Sequence, residues 1–389
     1  MEKTKVLAFC LKEIPSATVG VVSSLNVLEK KGYIDFCFKE TLAVTEQEVA
    51  WADIIVCIRG CENIEREIMK EGQRLGKFLI YFMDDDLLNI PKNSASALYF
   101  DLPHIRDNIL GIIKLSNCLW TTNINLLKKY ESYVESAVTI NAPSLLLENK
   151  VSFPTKENDD KITIGFAGSI DHGSYLNDFL KQIVFDVLEL YPNNVYFEFF
   201  GAKPDFIELS DRILHIPYAN NYDEYKKIMK SRNWDVGLAP LQSTEFHSCK
   251  YFNKYLEYGA IGTPGIYSKV EPYVFVVEEG KTGLLSDNNY EDWLRAIESL
   301  INNKELSEKI KEQSYKQLQE AFTSEKIAEE VLSEIPEICS YKAPYCSSKE
   351  VKLTRETNNM YLFKIKRIFQ NHGLSAFYII IKKIIMKLK

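Results

Sequence analysis

Twice along the chain, short apolar runs rich in β-branched and aromatic residues alternate with stretches of helical period, and a polar break separates the two series. In the first series the strand candidates are KVLAFCL, IDFCF, DIIVCI, KFLIYFM, CLWTTN and AVTINAP, with helical patterns at 17–30, 62–74 and 105–116 between them. Strands that alternate with helices imply right-handed crossovers, and hence a parallel sheet covered on both faces. Residues 149–161, NKVSFPTKENDDK, are polar and contain a proline, so they read as a linker. The alternation then restarts with ITIGFAG, a helix at 174–190, VYFEFFG, ILHIP, a helix at 221–231, WDVGLAPL and a helix at 250–260. PGIYS, YVFVV and helices at 290–302 and 304–320 complete it. The expected fold class is α/β: two doubly wound Rossmann-like domains, 1–150 and 161–335, facing each other across a cleft, with a tail over 336–389.

Length and charge agree with this division. A chain of 389 residues is too long for one ordinary core. With 46% hydrophobic and 26% charged residues it has the balance of a globular protein. A net charge of −7 argues against nucleic acid as a partner, so any anion site is local. The start, MEKTKVLAFCLKEIPSA, has no long apolar core before a small-residue cleavage site, and no run of about 18 apolar residues occurs. The expected location is therefore cytoplasmic. Eight cysteines follow no framework spacing, and Cys57 and Cys61 have no second close pair to complete a zinc set. They read as reduced thiols.

In open α/β sheets ligands bind beyond the carboxyl ends of the strands, which directs attention to three stretches. KFLIYFM has the continuous apolar character of a buried parallel strand, so Asp84, Asp85 and Asp86 emerge at its carboxyl end and are expected to face the cleft. They are candidate acid–base groups, with capping of the next turn as the bland reading of Asp86. Asp-x-Asp is formally present, but adjacent carboxylates on an extended segment point different ways, and no metal or other cofactor is expected. GFAGSIDHG (165–173) is a strand–helix turn whose glycines would let backbone N–H groups approach an anion. In EFHSCKYFNKYLEYGAIGTPGIYS (245–268), Lys250, Lys254 and Glu257 recur at spacings of four and three and share one helical face. Two ammonium groups and a carboxylate suit a nucleoside diphosphate, the cations for phosphate and the carboxylate for ribose hydroxyls. The bland reading is a solvated salt-bridge face. His172, in the glycine turn, and His104, in DLPHIRD, are the histidine candidates.

WDVGLAPL, the Lys-x-x-x-Lys-x-x-Glu-Tyr run, GTPGIYS and EEGKTGLL (278–285) together resemble the carboxyl-terminal domain of GT-B glycosyltransferases, closest to glycosyltransferase family 4 of bacterial polysaccharide synthesis. GFAGSIDH resembles the turn that opens that domain, PSATVGVVSSLNVLEKKGY the acceptor-side loop and helix, and DDDLLNIP a variant of the acceptor-strand end. The resemblance implies a nucleotide-sugar donor on the second domain and a glycan acceptor on the first, with retention at the transferred carbon. Carried onto this chain, it gives Gly168 and Ser169 to the diphosphate, Lys250 to the leaving phosphate and Lys254 beside it. Glu257 goes to the ribose, Ile216 and Tyr218 to the base pocket, His172 to the donor side, and Ser16, Thr18 and His104 to the acceptor side, where Asp84, Asp85 or Asp86 would orient the acceptor hydroxyl or take its proton. The chain departs from the family at Cys249, where many relatives carry a second glutamate, and in Ser-Ile-Asp-His, where many carry Arg or Lys.

From Tyr361 to Lys389 the chain has seven basic residues and no acidic one. Read as a helix, Phe377, Ile380, Ile381, Ile384, Ile385 and Leu388 form one stripe with lysines opposite, a pattern suited to an anionic membrane surface and too short to span it. That predicts a peripheral enzyme at the inner face of the membrane with a lipid-linked acceptor. An epimerase or hydrolase of nucleotide-sugars on the same fold, and a non-catalytic two-lobed binding protein, are the competing expectations.

Overall fold

The computed structural model describes residues 2–94, 96–147, 160–168, 173–202, 204–205, 208, 210–353 and 365. Ser169, His172 and all of the tail beyond 353 except Ile365 lie outside the described residues, as does most of the expected linker.

Two six-stranded sheets form, and all of their strand pairs are parallel. The first comprises β1 (Thr4–Cys10), β2 (Ile34–Glu40), β3 (Ile54–Ile58), β4 (Phe78–Met83), β5 (Cys118–Thr121) and β6 (Ser136–Thr139), in the order β2-β1-β3-β4-β5-β6. The second comprises β7 (Ile162–Gly168), β8 (Val195–Gly201), β9 (Ile213–Ile216), β10 (Val236–Ala239), β11 (Gly265–Ser268) and β12 (Leu284–Ser286), in the order β12-β11-β10-β7-β8-β9. Each sheet changes direction next to its first strand, between β1 and β3 and between β7 and β10. Crossovers leaving to opposite faces there open a crevice at the strand ends. The apolar runs account for the burial: β3 is buried at all five positions and β4 at every position after Phe78.

Three sequence expectations change. YVFVV has strand-like composition, but Tyr273–Phe275 is a 3-10 turn, and the sixth strand is the three-residue Leu284–Ser286. The helix expected at 250–260 begins at Asn253, preceded by a separate turn of helix at Glu245–Ser248. The domain limit at 335 also moves, because the helix Ser324–Glu334 leaves the second lobe and packs against the helix Ser23–Lys30 of the first. Its Ile327, Ala328 and Val331, followed by Ile335 and Ile338, join the first lobe's core beside Val6, Val56 and Leu28. Residues 341–353 continue along that lobe: the Tyr341 hydroxyl donates to Gly76 O at 2.8 Å and Lys352 N donates to Glu71 Oε1 at 2.6 Å.

Candidate active site

A cavity of about 910 Å³ lies between the two sheets, at their carboxyl edges. From the first lobe it is lined by Lys12–Ser16 and Thr18, which follow β1, and by Asp84 and Asp85, which follow β4. From the second it is lined by Gly168, Gly201, Tyr218–Asp223, Tyr225, Ala239–Leu241 and the segment bearing Lys250, Lys254 and Glu257. All of these segments lie at or follow the carboxyl ends of strands, so the fold itself brings the two motif groups together.

The three aspartates separate into two roles. Asp84 and Asp85 line the cavity, held by an arginine from the neighbouring strand end: Arg59 Nη1 is 3.3 Å from Asp84 Oδ1, and Arg59 Nη2 is 3.5 Å from Asp85 Oδ2. The same guanidinium donates to Ser16 Oγ at 3.1 Å. Burial pushes the Asp84 carboxyl up, Arg59 pulls it down, and Asp85 adds to the rise. Asp84 Oδ1 is buried and, among the described residues, meets no hydrogen-bond donor in line. Asp86 corrects the expectation that all three face the cleft. The chain bends at Asp84 and Asp85 as it leaves β4, and Asp86 turns into the protein, fully buried. It accepts from the Tyr130 hydroxyl at 2.5 Å, Lys129 Nζ at 2.6 Å and Asn89 Nδ2 at 3.0 Å, and is thereby a structural anchor rather than a group poised for reaction.

Lys250 also differs in its setting. It precedes the helix Asn253–Ala260 rather than sharing its face, and its backbone is clamped by the other lobe. Asn123 Nδ2 donates to Ser248 O at 2.9 Å and to Lys250 O at 2.7 Å, Asn125 Nδ2 donates to Glu271 Oε2 at 2.5 Å, and the Tyr251 hydroxyl donates to Ala142 O at 3.1 Å. The Lys250 ammonium lies 3.1 Å from Asp85 Oδ1 and 4.8 Å from the centre of the Phe246 ring. Lys254 and Glu257, a turn apart, pair at 2.6 Å, and Lys254 reaches the Tyr225 hydroxyl at 3.3 Å. Burial and the neighbouring Lys250 push His247 down to about 4, so its ring is neutral at pH 7 and binds the Thr244 hydroxyl at 2.7 Å.

The remaining candidates are distributed as follows. Ser16, Thr18, Gly168 and Tyr218 line the cavity, and the Tyr218 hydroxyl donates to Gly168 O at 3.1 Å. Gly201, at φ +84°, takes a conformation that side chains avoid, and a Cβ there would sit 2.4 Å from Gly168 O, so the close meeting of the two strand ends requires glycine. Ile216 is packed under the cavity with Phe200 and Met229 rather than lining it. His104 lies in the first turn of the helix Pro103–Leu115, away from the cavity lining, which removes it from the acceptor side. Gly165 is not an anion-binding glycine: it sits inside β7, where a Cβ would fall 1.8 Å from the Trp234 ring. Sequence reasoning missed Arg59 and Asn123. The signals present were an Arg-Gly pair directly after a strand and an asparagine at a helix start, which is an N-cap by pattern and a clamp only in three dimensions.

The two facing Rossmann-like lobes define the GT-B fold, and solved structures share it. Anabaena HepE in complex with UDP and glucose aligns with a TM-score of 0.59 at 12% identity, covering 86% of this chain and 99% of that chain. Sucrose-phosphate synthase from Thermosynechococcus elongatus gives 0.58 at 12%, covering 85% and 98%. S. aureus TarM, crystallised with Fondaparinux, alpha-GlcNAc-glycerol and UDP, gives 0.54 at 13%, covering 80% and 57%. Residues 148–317, the body of the second lobe, match the family model described as Glycosyl transferases group 1. No curated protein sequence matches the chain. Together the domain match and the shared fold support glycosyl transfer as the class of activity.

Proposed function

We propose that the protein transfers a sugar from a nucleotide-sugar donor to a glycan acceptor, as a retaining, metal-independent enzyme close to glycosyltransferase family 4. The observation that carries this reading is the meeting of Lys250, Lys254 and Glu257 from the second lobe with Asp84 and Asp85 from the first, all lining one cavity. The lysines suit the donor's pyrophosphate and Glu257 suits ribose hydroxyls, with Gly168 beside them; Ser169 and His172 belong to the same proposal. UDP in the HepE and TarM structures supports a nucleotide-sugar donor. Across the gap, Asp84 and Asp85 suit the acceptor hydroxyl, and Asp85 is the more exposed of the two, at 26% against 16%. Arg59 and Lys250 already neutralise Asp84 and Asp85, so those carboxylates serve the reaction without a divalent ion. The acceptor is proposed to be lipid-linked, with the basic stripe at 361–389 resting on anionic lipid.

The test is a thermal-shift panel of UDP-, GDP-, dTDP- and ADP-sugars, followed by transfer of labelled sugar to lipid-linked glycans with and without EDTA. One donor should stabilise the protein and be consumed only with acceptor present, and Lys250→Met should lower transfer on the order of 100-fold. Consumption of the donor without any acceptor would instead favour a hydrolase or epimerase.

A further inference from the structure

The pair between Lys250 and Asp85 joins the cation expected at the donor phosphates to a carboxylate expected at the acceptor, across the two lobes. We propose that Lys250 exchanges Asp85 for the donor's pyrophosphate, so that donor binding is what hands Asp85 over to the acceptor. This rests on the reading of the cleft as a nucleotide-sugar site.

The geometry separates what can move from what cannot. The backbone of Lys250 is held by Asn123 at 2.7 Å, and its neighbour Tyr251 is tied to Ala142, so the loop has no freedom to leave. The side chain has four rotatable carbons and a compact ammonium that can swing between partners. Asp85 is gripped from both sides: Lys250 of the second lobe at Oδ1 and Arg59 of the first at Oδ2. When Lys250 swings away, Arg59 still fixes the carboxylate, so Asp85 stays aimed at the cleft. A pyrophosphate offers more charge and more oxygens than a single carboxylate, and so takes the ammonium in competition. Lys250 and Asp85 are each about a quarter exposed, at 25% and 26%, so the pair is weak enough to be displaced at ordinary donor concentrations. The exchange imposes an order: Lys250 stays on Asp85 Oδ1 until a donor is in place. A donor-free cleft therefore does not commit an acceptor, and Asp85 acts as a competitor for the donor's own cation.

The test is calorimetric titration of UDP, GDP, ADP and dTDP into the full chain, using the nucleotide that binds wild type. Asp85→Asn should bind that nucleotide about 2- to 5-fold tighter, because the lysine no longer has to be taken from a carboxylate. The same variant should lower kcat and the donor KM together, a split that loss of folding would not produce. In a Lys250→Met background, Asp85→Asn should leave nucleotide affinity unchanged, since the gain acts through the lysine. Asp85→Ser repeats the comparison, and only variants whose circular dichroism matches wild type are compared. Unchanged or weaker binding by both Asp85 variants overturns the exchange, and so does a gain that persists without Lys250, which would be plain repulsion. Binding of none of the four nucleotides by wild type would overturn the proposed function instead, so the two failures are distinguishable.

Discussion

Arg59 sits at φ 51°, a backbone angle that costs a branched or long side chain about 1 kcal/mol or more. That conformation turns the end of β3 so that one guanidinium meets Ser16, Asp84 and Asp85 together. The fork geometry matters as much as the charge, because the planar guanidinium reaches its partners from separate nitrogens in fixed directions, which a single ammonium nitrogen does not reproduce. Arg59→Lys is therefore expected to lower kcat on the order of 10-fold while nucleotide affinity changes less than about twofold, since the donor contacts lie on the other lobe. Steady-state kinetics beside a nucleotide titration would check this, and a wild-type kcat in the lysine variant would show that the fork is dispensable. Asp86 illustrates the opposite lesson at the same scale. Three identical residues in a row carry no mark of which faces the cavity, and only the bend after β4, with Tyr130 and Lys129 waiting behind Asp86, decides.

The loop that presents Arg59 is pinned by the start of the helix Asn63–Arg74. Glu65 accepts from the backbone N–H of Cys61 at 2.7 Å and of Glu62 at 3.0 Å, and from the Thr41 hydroxyl at 2.9 Å, in full burial. Burial pushes its carboxyl up to about 7, with those hydrogen bonds pulling the other way. A folded-state pKa above the unfolded value of 4.5 means that the folded protein binds more protons between the two. The stability contributed is thus fully present below about pH 4.5 and is lost as the pH rises through about 7. Glu65→Gln should remove that slope. The stability difference between wild type and variant should change on the order of 3 kcal/mol over this window, read from urea unfolding at several pH values. Parallel slopes would mean that Glu65 does not titrate there. At this scale the sequence is informative where period and burial coincide: continuous apolar runs such as DIIVCI and KFLIYFM place β3 and β4, and so the aspartates at a strand end. It misleads where composition and geometry diverge, as in YVFVV, whose residues favour strands while the chain turns there, and in the three-residue strand Leu284–Ser286, too short to show a period. Lys250 could be placed on the cleft from its neighbourhood, but not its clamp by Asn123, which depends on a residue in the other lobe.

Among the described residues the chain belongs to the first lobe, then the second, then the first again, and its return completes the first lobe. The helix Ser324–Glu334 has an amphipathic pattern that reads equally well on either lobe, so the sequence alone could not say which core it joins. In the structure Ile327, Ala328, Val331, Ile335 and Ile338 are buried against β1, β3 and the helix Ser23–Lys30. Burial of each larger side chain contributes about 1.5–3 kcal/mol, so together they approach the 5–15 kcal/mol that separates a folded domain from its unfolded chain. Lys342 and Ala343 add contacts to Asp53, at 3.2 and 3.1 Å. A chain ending at Thr323 should therefore lose cooperative unfolding of the first lobe, and with it the positions of Asp84 and Asp85. A chain ending at Leu353 keeps all of these contacts and should unfold like the full protein and bind nucleotide equally. If the basic segment beyond it docks on lipid, that same chain should no longer float with anionic liposomes while the full protein does. The two truncations thus separate a segment that builds the fold from one that locates it. Cooperative melting of the shorter chain would show that the first lobe stands without its returning helix, and equal flotation of the longer one would remove the membrane from the reading.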